Sequence, residues 1–495
     1  MHISDVQDAL AHHQAGRLKE AIQGYEQLQE NGRHSPTLDY LLGTAYRQQN
    51  RQADAIFFLE RAVSAEPTLW MAWLNLGIIQ KEEGQLIASL ISLEHAIHYK
   101  PSGATYRARG MTFSELGRHK EALADYSRAN ELEPRNREYL LHLANTLYNQ
   151  GQRKEALLHY QEILDIDPNN VEAILHKAFI TLAFGNYHEG WRLYESPPER
   201  RAQRSKGCPQ GPQVKSLAEL QGRTLLIWPE GGMGDQLHFS RYALLAEQAG
   251  AHVIITATPP LFRLFRQSLP PSIAVHPLCD PLPSFDYWQP VMGLMQVFRT
   301  SLETVPAPIP YLHSDHQDAK SWQLRLNSLS NLSKPFRIGI AWAGASDGNR
   351  PYSRDRDAPL SALSPLLSLP YIQYYSLQKD PLPATQLREG PWQDRVIDWT
   401  THIKDFADTA ALIENLDLVI TVDTSILHLA GAMGKPVWLL DRVNHCWRWL
   451  DGRYDSPWYP TLRIFRQTTL GDWNEPVIEM LSALKDLFQP NGARI

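Results

Sequence analysis

The sequence predicts an α-helical solenoid over its first 200 residues, followed by an α/β region of two lobes. Two observations support this. A repeat of about 34 residues runs through the N-terminal part, a length typical of helical-pair repeats. After residue 222, short β-branched runs alternate with helical stretches, which predicts parallel sheets covered by helices. The chain of 495 residues is also too long for a single hydrophobic core.

The composition is that of an ordinary globular protein, with 43% hydrophobic and 21% charged residues. A net charge of -6 argues against a nucleic-acid binder. Three widely spaced cysteines form neither a disulfide framework nor a zinc-site pattern. The N-terminus lacks the apolar core of a signal peptide, and charged residues interrupt the most apolar stretch, so no membrane span is predicted. We therefore expect a cytoplasmic protein.

Four repeat units end in similar segments, RAVSAEP, HAIHYKP, RANELEP and EILDIDP. A small residue precedes each proline at the same offset: Gly43, Gly77, Gly110 and Ala144. This pattern resembles tetratricopeptide repeats over residues 2–200, in five or six units. One helix pair cannot bury its own apolar face, but stacked neighbours can, and the stack presents a concave surface. That surface predicts binding of a peptide or protein; a spacer or a homodimer contact is the alternative.

A proline-, glutamine- and arginine-rich segment separates the repeats from the α/β region. The predicted domains are the repeat array at 1–200, a linker at 201–222, a first lobe at 223–325 and a second lobe at 326–495. Strands are predicted at TLLIW, HVIITA and IAVHPL in the first lobe, and at RIGIAWAG, YYSLQ, LDLVITVD and PVWLL in the second. Ligands of such sheets bind at the carboxyl ends of the strands.

The segment WPEGGMGDQLHF lies at one such strand end. Gly232 and Gly234 allow a ligand to approach the backbone closely. Asp235 stands at the start of the next helix, where it can act as a base or simply cap the helix. His238 follows three residues later on nearly the same helix face. It is a second candidate base, with a structural role as the alternative.

A second segment, ITVDTSILHLAGAMGKP, ends a strand at Asp423 and begins a helix near Thr424 or Ser425. Free N–H groups at a helix N-terminus bind phosphate, and Asp423 can accept hydrogen bonds from sugar hydroxyls. A plain helix cap explains the same residues. The loop at 344–360 carries Arg350 and Arg356, which suit contacts to an anionic donor or a solvated surface.

Together these segments resemble a bacterial group of tetratricopeptide proteins that carry a heptosyltransferase-like glycosyltransferase domain. The resemblance covers residues 215–485 and implies the GT-B fold, in which two Rossmann-like lobes hold a nucleotide-sugar between them. It implies that Asp235 is the general base. It also implies that Asp423, Thr424, Ser425 and His428 hold the donor diphosphate and sugar, although Ser425 stands where glycine is common.

The combination of repeats and GT-B domain is also similar to protein O-GlcNAc transferases and flagellin glycosyltransferases. That similarity implies that Gln378 and Lys379, in SLQKD, contact the donor phosphate; a solvated lysine is the alternative. The predicted function is transfer of a sugar from a nucleotide-sugar to a protein acceptor, without a metal or further cofactor. A non-catalytic scaffold and an enzyme acting on lipid-linked or cell-surface glycans are the alternatives.

Overall fold

The computed structural model describes residues 6–197, 207–328, 335–344 and 356–487. The chain divides into two compact units, Met1–Ala173 and Ile174–Ile495. The predicted domain boundaries, at 200/201, 222/223 and 325/326, stay predictions.

Residues 6–197 form twelve helices. The first ten of them pack as five consecutive pairs. The bounds are α1 (Val6–Gln14), α2 (Leu18–Glu30), α3 (Pro36–Gln48), α4 (Gln52–Ala65), α5 (Trp70–Glu82), α6 (Leu86–Tyr99), α7 (Gly103–Glu115), α8 (His119–Leu132), α9 (Arg137–Asn149), α10 (Arg153–Ile166), α11 (Val171–Ala183) and α12 (Tyr187–Tyr194). The predicted solenoid is confirmed.

Small side chains let the two helices of a repeat approach each other. A Cβ atom on Gly43 would lie 2.6 Å from Cγ of Leu59, and one on Gly77 would lie 2.5 Å from Cγ of Leu93. Gly84 has a φ of +74° in the turn after α5, a conformation that glycine adopts without steric cost. The repeated glycines therefore serve two purposes, close packing within a pair and the turn between its helices.

The second unit contains two parallel sheets. The first sheet has the strand order β3-β2-β1-β4, with β1 (Thr224–Trp228), β2 (His252–Ala257), β3 (Ala274–Pro277) and β4 (Tyr287–Pro290). The helices of this lobe are α13 (Met233–Phe239), α14 (Arg241–Gln248), α15 (Pro259–Ser268) and α16 (Leu294–Val297). The strand order reverses at β1, so its carboxyl end lies at a switch point where ligands bind.

The second sheet has the order β10-β9-β8-β5-β6-β7. Its strands are β5 (Phe336–Ala341), β6 (Ile372–Ser376), β7 (Val396–Ile397), β8 (Leu418–Thr421), β9 (Val437–Asp441) and β10 (Leu462–Arg466). The remaining helices are α17 (His316–Ser328), α18 (Ser364–Leu367), α19 (Pro381–Glu389), α20 (Phe406–Glu414), α21 (Ser425–Ala432) and α22 (Asn474–Asp486). The switch point of this sheet lies between β5 and β8. Two Rossmann-like lobes are thus present, as predicted.

The two lobes meet where α13 packs on α21. Each of these helices follows the switch-point strand of its own sheet, β1 or β8. Gly234 makes the contact possible, because a Cβ atom there would lie 2.9 Å from Cδ2 of His428 and 3.5 Å from Cα of Ser425. The final helix, α12, also packs into this unit, where Tyr187 accepts a 3.1 Å hydrogen bond from the indole of Trp458.

The close contact at Gly234 leads to a stability prediction. Gly234→Ala should lower the free energy of unfolding of the second unit by about 1–3 kcal/mol, because the added methyl group forces a buried imidazole to move. Gly232→Ala is the matched control: its Cβ would meet only Oδ2 of Asp235, at 3.8 Å, and its φ of -83° suits alanine. Denaturant titration measures both. Equal stability of the two variants would contradict the packing described.

Candidate active site

The loop after β1 brings Asp235 to the interface between the lobes. Gly231 has a φ of +70°, Gly232 is the N-cap of α13, and Asp235 is the third residue of the helix. Oδ2 of Asp235 accepts a 2.9 Å hydrogen bond from the backbone N–H of Gly232. Asp235 is therefore not the N-cap residue itself, although it closes the first turn. About a quarter of its side chain, 26%, stays exposed.

Oδ1 of Asp235 pairs with Nη2 of Arg448, which belongs to the segment between β9 and β10 in the second lobe. The Arg448 side chain is 9% exposed and lies over the rings of Trp447 and Phe239. Its Nη1 donates a 3.2 Å hydrogen bond to Sγ of Cys446. Its Nε is buried and has no hydrogen-bond partner within the described ranges. A cation of one lobe thus holds the carboxylate of the other.

The segment after β8 begins α21 as predicted, with Thr424 as N-cap and Ser425 as first helical residue. Oγ1 of Thr424 lies 3.1 Å from Oγ1 of Thr421, and its side chain makes no capping hydrogen bond. Asp423 is 22% exposed. Burial raises the pKa of Asp423, and the nearby Asp441 adds to the effect.

Arg448 and Arg356 oppose that shift in the pKa of Asp423. The guanidinium of Arg448 therefore acts on both carboxylates of the predicted site, Asp235 and Asp423. Sequence reasoning missed Arg448. The available signal was a charged residue between two tryptophans in CWRWL, since an arginine within an apolar run is rarely buried without a partner.

His238 and His428 lie in one buried cluster around Tyr459. The Tyr459 hydroxyl is 2.9 Å from Nδ1 of His238 and 3.0 Å from Nδ1 of His428. Burial lowers the pKa of both histidines well below 6.5, and nearby arginines add to the effect. His238 has no exposed surface, whereas Nε2 of His428 is 4.0 Å from Oδ1 of Asp423. The structure therefore brings His428, and not His238, to the predicted donor segment.

Arg241 forms hydrogen bonds to both lobes around the cluster of His238, His428 and Tyr459. Its Nε donates to the carbonyl of His238 at 2.9 Å, and its Nη1 donates to the carbonyls of Pro306 and Trp458 at 2.8 and 2.9 Å. Its Nη2 donates to the hydroxyl of Tyr311 at 2.9 Å. A buried guanidinium is costly unless its donors are used, so these bonds fix the backbone behind the site.

Gln378 and Lys379 occupy the carboxyl end of β6. Oε1 of Gln378 accepts a 3.0 Å hydrogen bond from the backbone N–H of Ala343, in the loop after β5. Nζ of Lys379 donates to the carbonyls of Ile403 and Lys404, at 2.6 and 3.3 Å. Gln378 thus supports the switch-point loop, while the ammonium of Lys379 is engaged by the segment before α20.

Arg356 lies against Gly344, at the carboxyl end of β5. The absence of a side chain on Gly344 lets the guanidinium cover the backbone at this point. Nε of Arg356 is buried without a hydrogen-bond partner in the part of the chain that the structure describes. Asp357 holds the loop by accepting a 2.8 Å bond from the N–H of Gly344. Arg350 lies outside the described residues.

Within the described residues, no group of three or more histidine, cysteine, aspartate or glutamate side chains is placed to hold a metal ion. The same ranges contain no helix that is both long and apolar enough to cross a membrane.

The buried neutral histidines lead to a pH prediction. In the unfolded chain, both take up a proton as the pH falls through about 6.5, while the folded unit resists protonation. The unfolded state then binds more protons, so the free energy of unfolding decreases as the pH is lowered below about 6.5. Each histidine contributes up to about 1.4 kcal/mol per pH unit.

Tryptophan fluorescence during denaturant titration at pH 5–7.5 measures this effect. Trp70 and Trp73 lie before residue 174, so the other twelve of the fourteen tryptophans report on the second unit. His428→Gln should reduce the slope of stability against pH, and His402→Gln, at an exposed position, should leave it unchanged. An identical slope in both variants would show that the buried cluster does not resist protonation.

Comparison with family models supports the predictions for both the repeats and the α/β region. A model described as tetratricopeptide repeat matches residues 8–69 and 107–171. A model described as glycosyltransferase family 9 (heptosyltransferase) matches residues 404–440. The second match spans α20, β8 and α21 and ends within β9, so it includes the whole segment from Asp423 to His428.

Among curated proteins, the chain is similar to protein FlbA of Caulobacter vibrioides, with 26% identity over 90% of this chain and 72% of FlbA. Among solved structures, a peptide-binding tetratricopeptide protein, YrrB, is 17% identical over 37% of this chain and 96% of YrrB, with a TM-score of 0.31. A thermophilic tetratricopeptide protein of Thermus thermophilus is 22% identical over 36% of this chain and 97% of its own, with a TM-score of 0.30. The family models and the FlbA similarity together establish that the chain combines tetratricopeptide repeats with a glycosyltransferase-like α/β region.

Proposed function

We propose that the protein is a glycosyltransferase that moves a sugar from a nucleotide-sugar donor to a protein acceptor recruited by the repeats. One observation carries the proposal. The loop with Asp235 and the segment from Asp423 to His428 follow the switch-point strands of two different sheets, and their helices pack on each other. Arg448 acts on both carboxylates. We keep the cytoplasmic location as part of this proposal.

In the proposed complex, the donor diphosphate lies at the N-terminus of α21. The first N–H groups of this helix have no intrahelical partner, and the helix dipole favours an anion there. Arg356 supplies positive charge beside Asp423, and its buried Nε has no hydrogen-bond partner among the described residues. Lys379 would first have to leave the carbonyls of Ile403 and Lys404, so Arg356 is the better-supported phosphate contact.

Asp423 is proposed to bind the donor sugar. Its carboxyl group is partly exposed and stands directly before the N-cap of α21. A sugar hydroxyl beside the diphosphate would therefore be within reach of this group. Hydrogen bonds between hydroxyls and a charged acceptor are stronger than neutral ones, which suits a residue that orients the sugar.

Asp235 is proposed to take the proton of the acceptor hydroxyl. One oxygen accepts from Gly232 and the other pairs with Arg448, but a carboxylate has about four acceptor positions, so capacity remains. These two contacts hold the carboxylate in one orientation. His238 is enclosed and engaged with Tyr459, so we assign it a structural role in place of the predicted role as base.

The departing nucleoside diphosphate would gain negative charge as the sugar–oxygen bond breaks. The N-terminus of α21 and Arg356 are placed to stabilise that charge. Transfer then needs no covalent intermediate on the protein, and we propose that the nucleotide-sugar is a substrate with no further cofactor and no metal.

The repeats are proposed to bind the protein acceptor through the surface formed by the first helices of the pairs. Salt bridges run along these helices from one repeat to the next: Arg47 to Glu82 at 2.9 Å, Lys81 to Glu115 at 2.9 Å and Arg107 to Glu138 at 2.6 Å. All six side chains keep some exposure. They can therefore exchange partners with a bound polypeptide at little cost, because exposed pairs contribute about 0–1 kcal/mol.

Asp235→Asn separates a base from a purely structural carboxylate. The amide keeps an oxygen for the N–H of Gly232 but cannot accept the proton. Turnover should fall about a hundredfold or more, while donor affinity stays nearly unchanged. Asp455→Asn, in an exposed pair with Arg453, is the control and should keep parental turnover. Near-parental turnover of Asp235→Asn would remove the proposed base.

Asp423→Ala tests the donor site. Loss of hydrogen bonds to a charged group should weaken nucleotide-sugar binding roughly ten- to a hundredfold in a folded protein. Calorimetric titration measures the affinity, and Asp394→Ala, at an exposed position, provides the control. Unchanged affinity of a folded Asp423→Ala protein would contradict the assignment.

The role of the repeats can be tested without removing them. Replacing Arg47, Lys81 and Arg107 together by alanine should reduce transfer to the protein acceptor several-fold, since remote binding positions the reacting hydroxyl. Slow hydrolysis of the donor should continue at the parental rate. Intact-mass analysis of co-expressed candidate acceptors measures transfer.

The matched control for this triple variant replaces three arginines that form pairs within single repeats: Arg51, Arg118 and Arg128. The control removes the same number of charges and should retain transfer. Equal transfer by both triple variants would show that the surface of the first helices does not recruit the acceptor.

A further inference from the structure

The buried cluster behind the donor segment contains one hydroxyl between two imidazole rings. The oxygen of Tyr459 lies 2.9 Å from Nδ1 of His238 and 3.0 Å from Nδ1 of His428. A phenol has one proton to donate. If both contacts are hydrogen bonds, at least one imidazole must carry its proton on Nδ1 and donate to the phenol oxygen. The tautomers of the two histidines are therefore linked.

Tyr311 offers the Tyr459 proton another destination, but a poorer one. The two hydroxyl oxygens are 3.4 Å apart, which is longer than either contact to a histidine. The Tyr311 oxygen already accepts from Arg241 at 2.9 Å, and its hydroxyl can donate to the carbonyls of Leu237 and His238, at 3.1 and 3.3 Å. Hydrogen bonds between hydroxyl oxygen and acceptor weaken beyond about 3.0 Å, so Tyr459 donates to a histidine.

The surroundings of Nε2 in each ring decide which histidine accepts the hydrogen bond from Tyr459. Nε2 of His238 is buried and has no hydrogen-bond partner among the described residues. A proton there would be an orphaned buried donor, which is rarer in proteins than an unused acceptor. Nε2 of His428, in contrast, is 4.0 Å from a carboxylate oxygen of Asp423, and a bare nitrogen lone pair facing that oxygen would be repelled.

The arrangement that meets both conditions is unique. His238 carries its proton on Nδ1 and donates to Tyr459, Tyr459 donates to Nδ1 of His428, and His428 carries its proton on Nε2. Both rings stay neutral under this arrangement, in agreement with their burial next to the cations Arg241 and Arg448. A chain of hydrogen bonds thus leads from α13 of the first lobe to α21 of the second.

We propose that Tyr459 is a positioning residue that fixes His428 as the Nε2–H tautomer. The neutral N–H group of His428 then faces Asp423, in the segment proposed to bind the nucleotide-sugar. The use of this N–H group to orient Asp423 or a phosphate oxygen rests on the proposed function. The tautomer assignment does not, because it follows from contacts within the protein itself.

The arrangement gives the second lobe an uncharged N–H group, on His428, that does not form an ion pair with the carboxylate of Asp423. A protonated imidazolium would attract Asp423 directly and draw it away from a sugar hydroxyl. A neutral Nε2–H, 4.0 Å from Oδ1 of Asp423, leaves the charge of the carboxylate available to the ligand. Gly234 lets α13 pack directly against this ring, since a Cβ atom there would lie 2.9 Å from Cδ2 of His428.

Nitrogen-15 NMR of the full-length chain with labelled histidine tests the assignment, because the protonated and bare ring nitrogens have distinct chemical shifts. Signals are assigned by their loss in His428→Gln and His238→Gln. We expect His428 to be protonated on Nε2 and His238 on Nδ1 at neutral pH. Once assigned, the parent spectrum is decisive: His428 protonated on Nδ1, or a charged ring, would overturn the proposal.

Tyr459→Phe then tests the positioning role. Removing the hydroxyl leaves only the 4.0 Å contact with Asp423 to favour Nε2–H, so a fraction of His428 should now carry its proton on Nδ1. Tyr454→Phe, at a position 70% exposed, should leave the spectrum unchanged. A pure Nε2–H form of His428 in a folded Tyr459→Phe protein would show that Tyr459 does not set the tautomer. Should this variant not fold, the parent spectrum still decides the assignment.

A calorimetric titration with nucleotide-sugars keeps the two proposals apart. If the proposed function holds, Tyr459→Phe should also weaken donor binding roughly tenfold, as expected for loss of one oriented hydrogen bond to a charged group. If the parent binds no nucleotide-sugar, the proposed function fails, while the tautomer result stands or falls on its own spectrum.

Discussion

The contact between α13 and α21 is the constraint on which the candidate site depends. Each helix starts at the carboxyl end of a switch-point strand, so their packing brings the chemical segments of two separate sheets together. Gly234 sets how close they come, because any side chain there would meet His428. Without this approach, Asp235 and the segment from Asp423 to His428 would belong to unconnected crevices.

Buried charge maintains that contact. Arg241 of the first lobe donates to the carbonyl of Trp458 in the second, and Arg448 of the second lobe pairs with Asp235 of the first. Each buried guanidinium loses hydration, and the loss is offset only while its partners stay in place. Separating the lobes would leave both cations poorly satisfied. Arg448, which orients the candidate base, is therefore also one of the contacts that hold the lobes together.

Much of the fold could be predicted because helices and strands leave local patterns of apolar and small residues in the sequence. The repeat period marked the helix pairs, and apolar β-branched runs marked seven strands. Three strands were not predicted, for local reasons: β4 ends in glutamine and proline, β7 has two residues, and two of the five residues of β10 are arginines. All three strands lie at an edge of their sheet, and the pairing with a neighbouring strand that defines them depends on the strand order, which a local pattern does not reveal.

The site was predictable only in part, for a different reason. Strand ends and helix starts are local, so the sequence indicated that Asp235 stands at a helix start and that Asp423 stands where a strand gives way to a helix, although β8 itself ends at Thr421. Partners distant in sequence were not visible: Arg448 lies 213 residues from Asp235, and Tyr459 lies 221 residues from His238. Burial of His238 and the engagement of Lys379 by main-chain carbonyls likewise follow from tertiary packing and not from residue type.

The central claim is that the two switch points form one working donor site. The most direct measurement is an assay of the purified full-length chain with a panel of nucleotide-sugars, following release of the free nucleotide. The account predicts that at least one nucleotide-sugar binds and is slowly hydrolysed even without an acceptor. A correctly folded protein that binds and hydrolyses none of them would contradict the account and support a non-catalytic scaffold.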